Sequence, residues 1–464
     1  MASAERQNAL ALDQALKAAV ELPSPPPTTF AALGVPAALV AELASRGISE
    51  PFAIQSRAMP DALAGRDVLG RAQTGSGKTL AFGLPMLTRL SGLRDDSRRR
   101  SDKAPRGLVL VPTRELALQV ADVLVPLGQA LGTSVMTVHG GVALGPQIHR
   151  LSRGVDVVVA TPGRLIDLMD RGSCTLDEVS VTVLDEADHM ADLGFLPSVT
   201  RILDATPAGQ RLLFSATLDR GVAGLVSSYL NDPALHAIAS AVNSNNAEHQ
   251  VFVVPVADKL AIATEIGTRQ GRTLFFVRTK HGADRLARQL TVAGVDAAAI
   301  HGNLKQNQRL RALAGFASGN PRVLVATDVA ARGIHVEDVG LVVHYDPPED
   351  HKDYLHRSGR TARAGASGTV LTLVEPGQVR AIGRMHDTAG ITSVCHQVEP
   401  GHMAVRELAG SGTPIVQVEM PPRVSVQPRG GAGRRARAAS RPVRHRARDG
   451  ARANSSGRAA AGRG

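Results

Sequence analysis

The stretch Asp67-Val68-Leu69-Gly70-Arg71-Ala72-Gln73-Thr74-Gly75-Ser76-Gly77-Lys78-Thr79 decides the fold. It opens strand-like over Asp67–Leu69, turns through a glycine-rich segment, and runs on into Leu80-Ala81-Phe82 as a helix. Such a turn aims successive backbone N–H groups at one point in front of a helix N-terminus, which is an arrangement for holding phosphate. Lys78 is placed to reach the outer phosphates of a nucleotide, and Thr79 is the natural Mg2+ ligand. The strict pattern has glycine where Ala72 stands, so Gly75 and Gly77 are left to supply the tight turn. Ala72, Gln73, Thr74, Gly75, Ser76, Gly77, Lys78 and Thr79 are therefore the expected phosphate cradle.

Working outward, short Val- and Leu-rich runs recur at Gly107–Val111, Val155–Ala160, Val181–Leu184 and Arg211–Phe214, separated by helix-length segments. Runs of this kind suit strands of a parallel sheet covered on both faces. A second set follows at Thr273–Val277, Val323–Ala326, Leu341–Tyr345 and Thr369–Val374. The fold class this predicts is α/β, with two doubly wound parallel-sheet domains in tandem. The expected boundaries are an alanine-rich N-terminal extension over 1–27, a first domain over 28–238, a polar linker over 239–249, a second domain over 250–400 and a basic tail over 401–464.

The net charge of +11 belongs to that tail. From Pro421 onward there are twelve arginines and one acid, Asp449, which leaves 41 basic and 41 acidic residues in the first 420. With almost nothing apolar to bury, the tail is expected to be disordered. No apolar run is long enough to cross a membrane, and the first twenty residues mix Glu5, Arg6, Asp13 and Lys17 with alanine, so a cytoplasmic protein with no membrane association is expected. Cys174 and Cys395 are far apart and have no His or Cys cluster around them, so neither a disulfide framework nor a zinc site is indicated.

A nucleotide site needs an acidic partner on a neighbouring strand. Val181-Thr182-Val183-Leu184 delivers Asp185-Glu186-Ala187-Asp188 at a strand end, where Asp185 would hold Mg2+ and Glu186 would polarise the attacking water. Asp185–Asp188 is also the tetrapeptide that names the DEAD-box RNA helicases, and from about Phe30 to Val374 the chain resembles that family through a series of ordered motifs. The phrasing of several segments is most similar to the bacterial RhlE-type branch.

The resemblance implies two RecA-like domains, ATP with Mg2+ as cofactors, and RNA as partner. Gly47–Gln55 matches the adenine-reading motif. Gln55 would bond the adenine edge, and Phe30, seventeen residues before Gly47, would stack on its face. Ser215-Ala216-Thr217 matches the motif that links hydrolysis to the RNA side through hydroxyl bonds to the acidic segment. His356–Arg363 matches the arginine-finger motif, with Arg360 and Arg363 on one helical face. Asp328–His335 completes the nucleotide side, with Gly333 against the nucleotide. It has His335 where the family usually has the Asp associated with the ribose, and this puts that contact in question.

RNA contacts are implied at Pro112, Thr113, Arg114, Gly140, Gly141, Thr161, Pro162, Gly163 and Arg164 in the first domain. In the second they are implied at Arg278, Thr279, His301, Gly302, Arg309 and Thr327. These are short polar groups, amides and arginines, suited to phosphate and 2′-OH rather than to bases. The absence of Trp and an aromatic share of 3% also argue against a stacking-based reader, so sequence-independent RNA binding is expected. A processive DNA translocase and an ATP-gated RNA clamp are the rival readings. Ribosomal or RNA-decay proteins are the expected protein partners, around a monomeric core.

Overall fold

The Val- and Leu-rich runs become the central strands of two sheets in a computed structural model that describes residues 2–21, 28–72, 75–92, 104–238, 247–331, 339–362 and 367–410. The first sheet is built from β1 (Val68–Arg71), β2 (Gly107–Leu110), β3 (Val135–Val138), β4 (Val157–Ala160), β5 (Val181–Asp185), β6 (Gln210–Ser215) and β7 (Ala234–Ala237). The second uses β8 (Ala247–Val253), β9 (Arg272–Phe276), β10 (Ala297–Ile300), β11 (Val323–Ala326), β12 (Val339–His344), β13 (Gly368–Val374) and β14 (Val394–Gln397). Neighbouring strands pair in parallel throughout both sheets.

Because side chains alternate along a strand, each central strand feeds two cores. Val109 and Val183 join the cluster on one face of the first sheet, whereas Leu108 and Leu184 join the cluster on the other. Phe275 and Leu274 divide between the two faces of the second sheet in the same way.

The strand order is β3-β4-β2-β5-β6-β1-β7 in the first sheet and β10-β11-β9-β12-β13-β8-β14 in the second. Counted within each half, the two orders are identical. This order sorts the motifs that leave the carboxyl ends of strands. The phosphate turn after β1, Ser215-Ala216-Thr217 at the end of β6 and the acidic segment after β5 come from adjacent strands. The loops after β2, β4 and β3 gather on the other side of β5, where the first half's expected RNA contacts lie.

Three expected boundaries move. Ala247, Glu248 and His249, expected as linker, are part of β8 and pair with β13, and 239–246 lies outside the described residues. The fold also continues past 400: the helix Met403–Gly410 buries Val405 and Leu408 in the core of the second half. The remaining tail, 411–464, with its expected disorder, falls outside the described residues. At the other end, the helix Ala2–Glu21 is no separate extension, because Leu16 is fully buried in the first half's core. Arg57 Nη1 donates to the carbonyls of Ala19 and Ala237 at 2.7 and 2.5 Å, and Arg71 pairs with Asp13 at 3.0 Å, so this helix covers the edge strand β7.

Candidate active site

Gly75 and Gly77 take φ values of 89° and 85°, the left-handed region that a side chain resists, and so turn the chain from β1 into the helix Lys78–Gly92. Lys78 is buried at the head of this helix. Its Nζ donates to the Ala72 carbonyl at 3.0 Å and lies 3.9 Å from Asp185 Oδ1, which holds the ammonium over the turn. Gln55 braces the same turn: Nε2 donates to the Gly77 carbonyl at 2.9 Å, and Oε1 accepts from Phe52 N at 2.8 Å. A Cβ at Gly77 would lie 2.3 Å from Gln55 Nε2, so the brace requires glycine there. An amide has a second N–H and a second lone pair, enough for an adenine edge.

Phe30 does not fit its expected role. It is 1% exposed within the first half's core and has no open face for a base to stack on. Phe52, at 55% exposure, is the aromatic ring beside the turn.

Asp185 ends β5, and Glu186 caps the helix Ala187–Asp192 with φ 52° and ψ 52°, a left-handed conformation that costs a residue other than glycine about 1–3 kcal/mol. Asp188 Oδ2 accepts from Thr217 N at 2.8 Å and from Thr217 Oγ1 at 2.9 Å, while Asp188 N donates to Ser215 Oγ at 3.2 Å. This is the expected link between Ser215-Ala216-Thr217 and the acidic segment. Burial pushes the Asp185 carboxyl up to about 6 against the pull of Lys78. Burial also works to raise Glu186, but the hydrogen bond from His189 and the charges of Lys78 and Arg360 outweigh it and hold the carboxyl well below the usual carboxylate range. Asp188 is held low in the same manner, with burial outweighed by His356 from the second half.

The second half reaches this site through the helix His351–Ser358, which stops before Arg360, so Arg360 lies in the turn that follows and not on the helical face expected for it. Arg357 on it pairs with Asp328 and donates to the Asp346 carbonyl at 2.7 Å, so it serves the fold of its own half. His356 Nε2 lies 3.9 Å from Asp188 Oδ2, and the charge of Arg360 acts on Glu186 across the same cavity. Lys78, Glu186, Asp188, His189 and Ala216 from one half and His356 and Arg360 from the other line a single cavity of about 290 Å3, including its opening to solvent. Arg363, Gly333, His335, Gln73 and Thr74 lie outside the described residues. A helix N-terminus with a buried lysine, an acidic pair and an arginine from across the cleft matches a nucleoside triphosphate. Thr79 and Asp185 are oxygen donors suited to a Mg2+ that the phosphates would also hold.

Among the expected RNA contacts, those of the first half converge. Arg114 packs so closely on Gly140 and Gly141 that a Cβ at Gly141 would collide with its guanidinium, and Arg164 donates to the Val142 carbonyl at 3.3 Å. Thr113 and Thr279 cap helices through their hydroxyls, and Thr161 with Pro162 and Gly163 starts another. Arg278 stays largely exposed, and Gly302 lies beside Lys280. Three expectations fail on where the side chain points, at Arg309, His301 and Thr327. Arg309 Nε lies 3.1 Å from Glu115 Oε1 of the first half, and Gln306 Nε2 donates to the same oxygen at 2.9 Å, so these residues tie the halves together instead of facing RNA. His301 is 3% exposed and bonded to Asp284, and Thr327 is buried.

Residues 52–225 match the family described as DEAD/DEAH box helicase, and residues 258–365 match the helicase conserved C-terminal domain. The chain belongs to the DEAD-box RNA helicase family. DEAD-box ATP-dependent RNA helicase 3B, chloroplastic, of Zea mays is 44% identical over 368 residues, covering 78% of this chain and 49% of that protein. ATP-dependent RNA helicase dbp2 of Aspergillus clavatus is 42% identical over 355 residues, covering 75% and 64%. The chain thus spans between about half and two thirds of the length of these relatives. Among solved structures, S. cerevisiae Dbp5 bound to RNA and ADP BeF3 is similar with a TM-score of 0.71 at 29% identity, over 82% of this chain and 99% of that one. The relatives named here are from plants and fungi, so the bacterial RhlE-type branch finds no support among them.

Three features of this DEAD-box chain escape a motif reading. Phe52 stands outside the expected adenine contacts. Glu115 is the acceptor for two residues of the other half. His189 follows the acidic tetrapeptide and bonds Glu186 at 3.2 Å. A helical spacing of three between Glu186 and His189 is the signal that would have found this last pair.

Proposed function

We propose that this chain is an ATP-dependent RNA helicase that closes on a short RNA segment, strains the duplex locally, hydrolyses ATP and reopens. The observation that carries this reading is the cavity shared by Lys78 and Glu186 of one half and His356 and Arg360 of the other. Hydrolysis then requires closure, because the arginine and the phosphate turn belong to different halves. In the closed form Lys78 binds the outer phosphates, Glu186 accepts a hydrogen bond from the attacking water, and Arg360 offsets charge that builds up in the transition state. Bound at Thr79 and Asp185, Mg2+ would supply further neutralisation of the phosphates. The same reading is supported by the RNA and ADP BeF3 bound to the similar yeast protein. Backbone-facing groups around Arg114 and Arg164 favour RNA of any sequence. We also place the protein in the cytoplasm, which fractionation of its host cells would test.

The experiment is ATP turnover with RNA, with DNA of the same sequence and with no nucleic acid, alongside displacement of a labelled strand from a short RNA duplex. RNA-stimulated turnover with ATP-dependent displacement is expected. Equal stimulation by DNA would favour a DNA translocase, and ATP-dependent retention of RNA without turnover would favour a clamp.

A further inference from the structure

Glu186 is held in a strained backbone conformation at the start of a six-residue helix, and that strain sets where its side chain leaves the main chain. A glutamate still has three side-chain torsions to fix, and a carboxylate that polarises water contributes only when it points in one direction. One turn along the same helix, His189 meets this need: Nδ1 lies 3.2 Å from Glu186 Oε2, and both side chains are buried. A carboxylate only accepts, so Nδ1 carries the proton and donates. His189 is itself anchored, since its backbone N–H donates to Asp188 Oδ1 at 3.0 Å, and Asp188 is tied to Thr217. It also lines the cavity with Lys78, Glu186 and Arg360.

We propose that His189 is a positioning residue for hydrolysis, its Nδ1–H bond fixing the direction in which Glu186 presents its carboxylate to the cavity. The inference rests on the ATPase reading above. The hydrogen bond runs within one half, so it is in place before closure. His189 therefore governs turnover and leaves the holding of ATP to Lys78.

The test uses the full chain with His189→Leu, which removes the donor at similar bulk, His189→Asn, whose amide N–H stands close to the place of Nδ1–H, and His189→Gln, whose longer amide does not. RNA-stimulated kcat and KM for ATP are measured with the affinity for a fluorescent ATP analogue and the melting temperature of the nucleotide-free protein. His189→Leu and His189→Gln are expected to lower kcat roughly tenfold to a hundredfold, as misplacement of a reacting group does. KM, analogue affinity and melting temperature should stay close to those of the parent chain, and His189→Asn should recover most of kcat. Unchanged kcat in His189→Leu overturns the inference, as does an equal loss in Asn and Gln accompanied by a lower melting temperature, which marks a purely structural role. If His189→Leu does not fold, the comparison of Asn with Gln decides. Absence of turnover in the parent chain would remove the ATPase reading and this inference together.

Discussion

β1 and β8 occupy the same place in their sheets, and each leads to a helix that begins with a lysine, Lys78 in one half and Lys259 in the other. Between β1 and Lys78 the chain turns through Gly75-Ser76-Gly77, whereas between β8 and Lys259 it runs through Val254-Pro255-Val256-Ala257-Asp258. Lys78 bridges back to the Ala72 carbonyl and faces Asp185. Lys259 lies over the Tyr345 ring at 5.1 Å, its pKa lowered by burial. A buried lysine at a helix start is thus common to both halves, and only the first stands behind a left-handed glycine turn that curls the backbone around it. The acidic ends of β5 and β12 diverge in the same way. Asp185 and Glu186 line or adjoin the cavity, whereas Asp346, just beyond β12, accepts from Arg278 N at 2.8 Å and serves its own loop. The fold is duplicated and the site is divided: in the proposed ATPase reading the first half holds the nucleotide and the second supplies the arginine.

The sharpest way to break this comparison is to remove each lysine. Lys78→Ala is expected to reduce ATP affinity or turnover by roughly a factor of a thousand or more, given the charge it presents to the phosphates. Lys259→Ala should leave the affinity for a fluorescent ATP analogue nearly unchanged and lower the melting temperature instead. Similar affinity losses in the two variants would mean that the halves share nucleotide binding.

Acid should separate the halves next. In the second half, His249 on β8, His344 on β12 and His386 on the helix Val379–Ala389 surround Tyr354 of the helix His351–Ser358, and His249 Nδ1 lies 2.7 Å from Tyr354 Oη. The three Nε2 atoms are buried without hydrogen-bond partners among the described residues. Burial lowers all three histidines, with Arg357 adding to the effect on His344 and Asp387 opposing it at His386; His249 falls to about 4. Because the folded pKa lies below the unfolded one, the unfolded chain takes up protons first, and stability is lost as pH falls from about 6.5 toward 4. From His249 alone this loss is roughly 2 kcal/mol at pH 5. Asp185 in the first half is raised, so its protonation below about 6 works in the opposite direction. Hydrogen exchange of the nucleotide-free protein at pH 7 and pH 5 should show β8, β12 and β13 losing protection before β1, β5 and β6. Uniform loss would contradict the assignment.

A smaller effect is expected at the seam. Glu115→Gln removes the charge that Arg309 faces, and should weaken RNA binding in the presence of a non-hydrolysable ATP analogue by about tenfold, the usual worth of a charged hydrogen bond. RNA binding without nucleotide should change little. If both fall together, Glu115 contacts RNA and does not lock the halves.

What the amino-acid order revealed and what it hid divide along one line. Motifs at strand ends could be read, because glycines, a lysine-threonine pair and an acidic tetrapeptide each fix a local chemistry. Their order also placed Asp188 with Ser215 and Thr217. The direction of a side chain could not be read. Phe30 and Phe52 are both aromatics near the adenine-reading motif, and only packing shows that the first is core and the second exposed. Arg309 sits in a segment assigned to RNA, yet its guanidinium is claimed by Glu115, nearly two hundred positions away in the chain. The histidines around Tyr354 come from separate strands and a helix with no shared spacing, so no pattern in the sequence announces them. The edge strands β3, β7, β10 and β14 were also missed, and so was the interior strand β8, whose first residues read as polar linker.

The central claim is that the two halves build one ATP site. It is tested most directly by measuring ATP affinity and RNA-stimulated kcat for Arg360→Ala in the full chain. The account predicts that kcat falls by roughly 10³ or more while affinity stays within a few fold, since the arginine of the second half acts on charge that develops in the transition state. A loss of affinity with kcat preserved would make Arg360 a ground-state ligand, and no change in either would leave the second half outside the site.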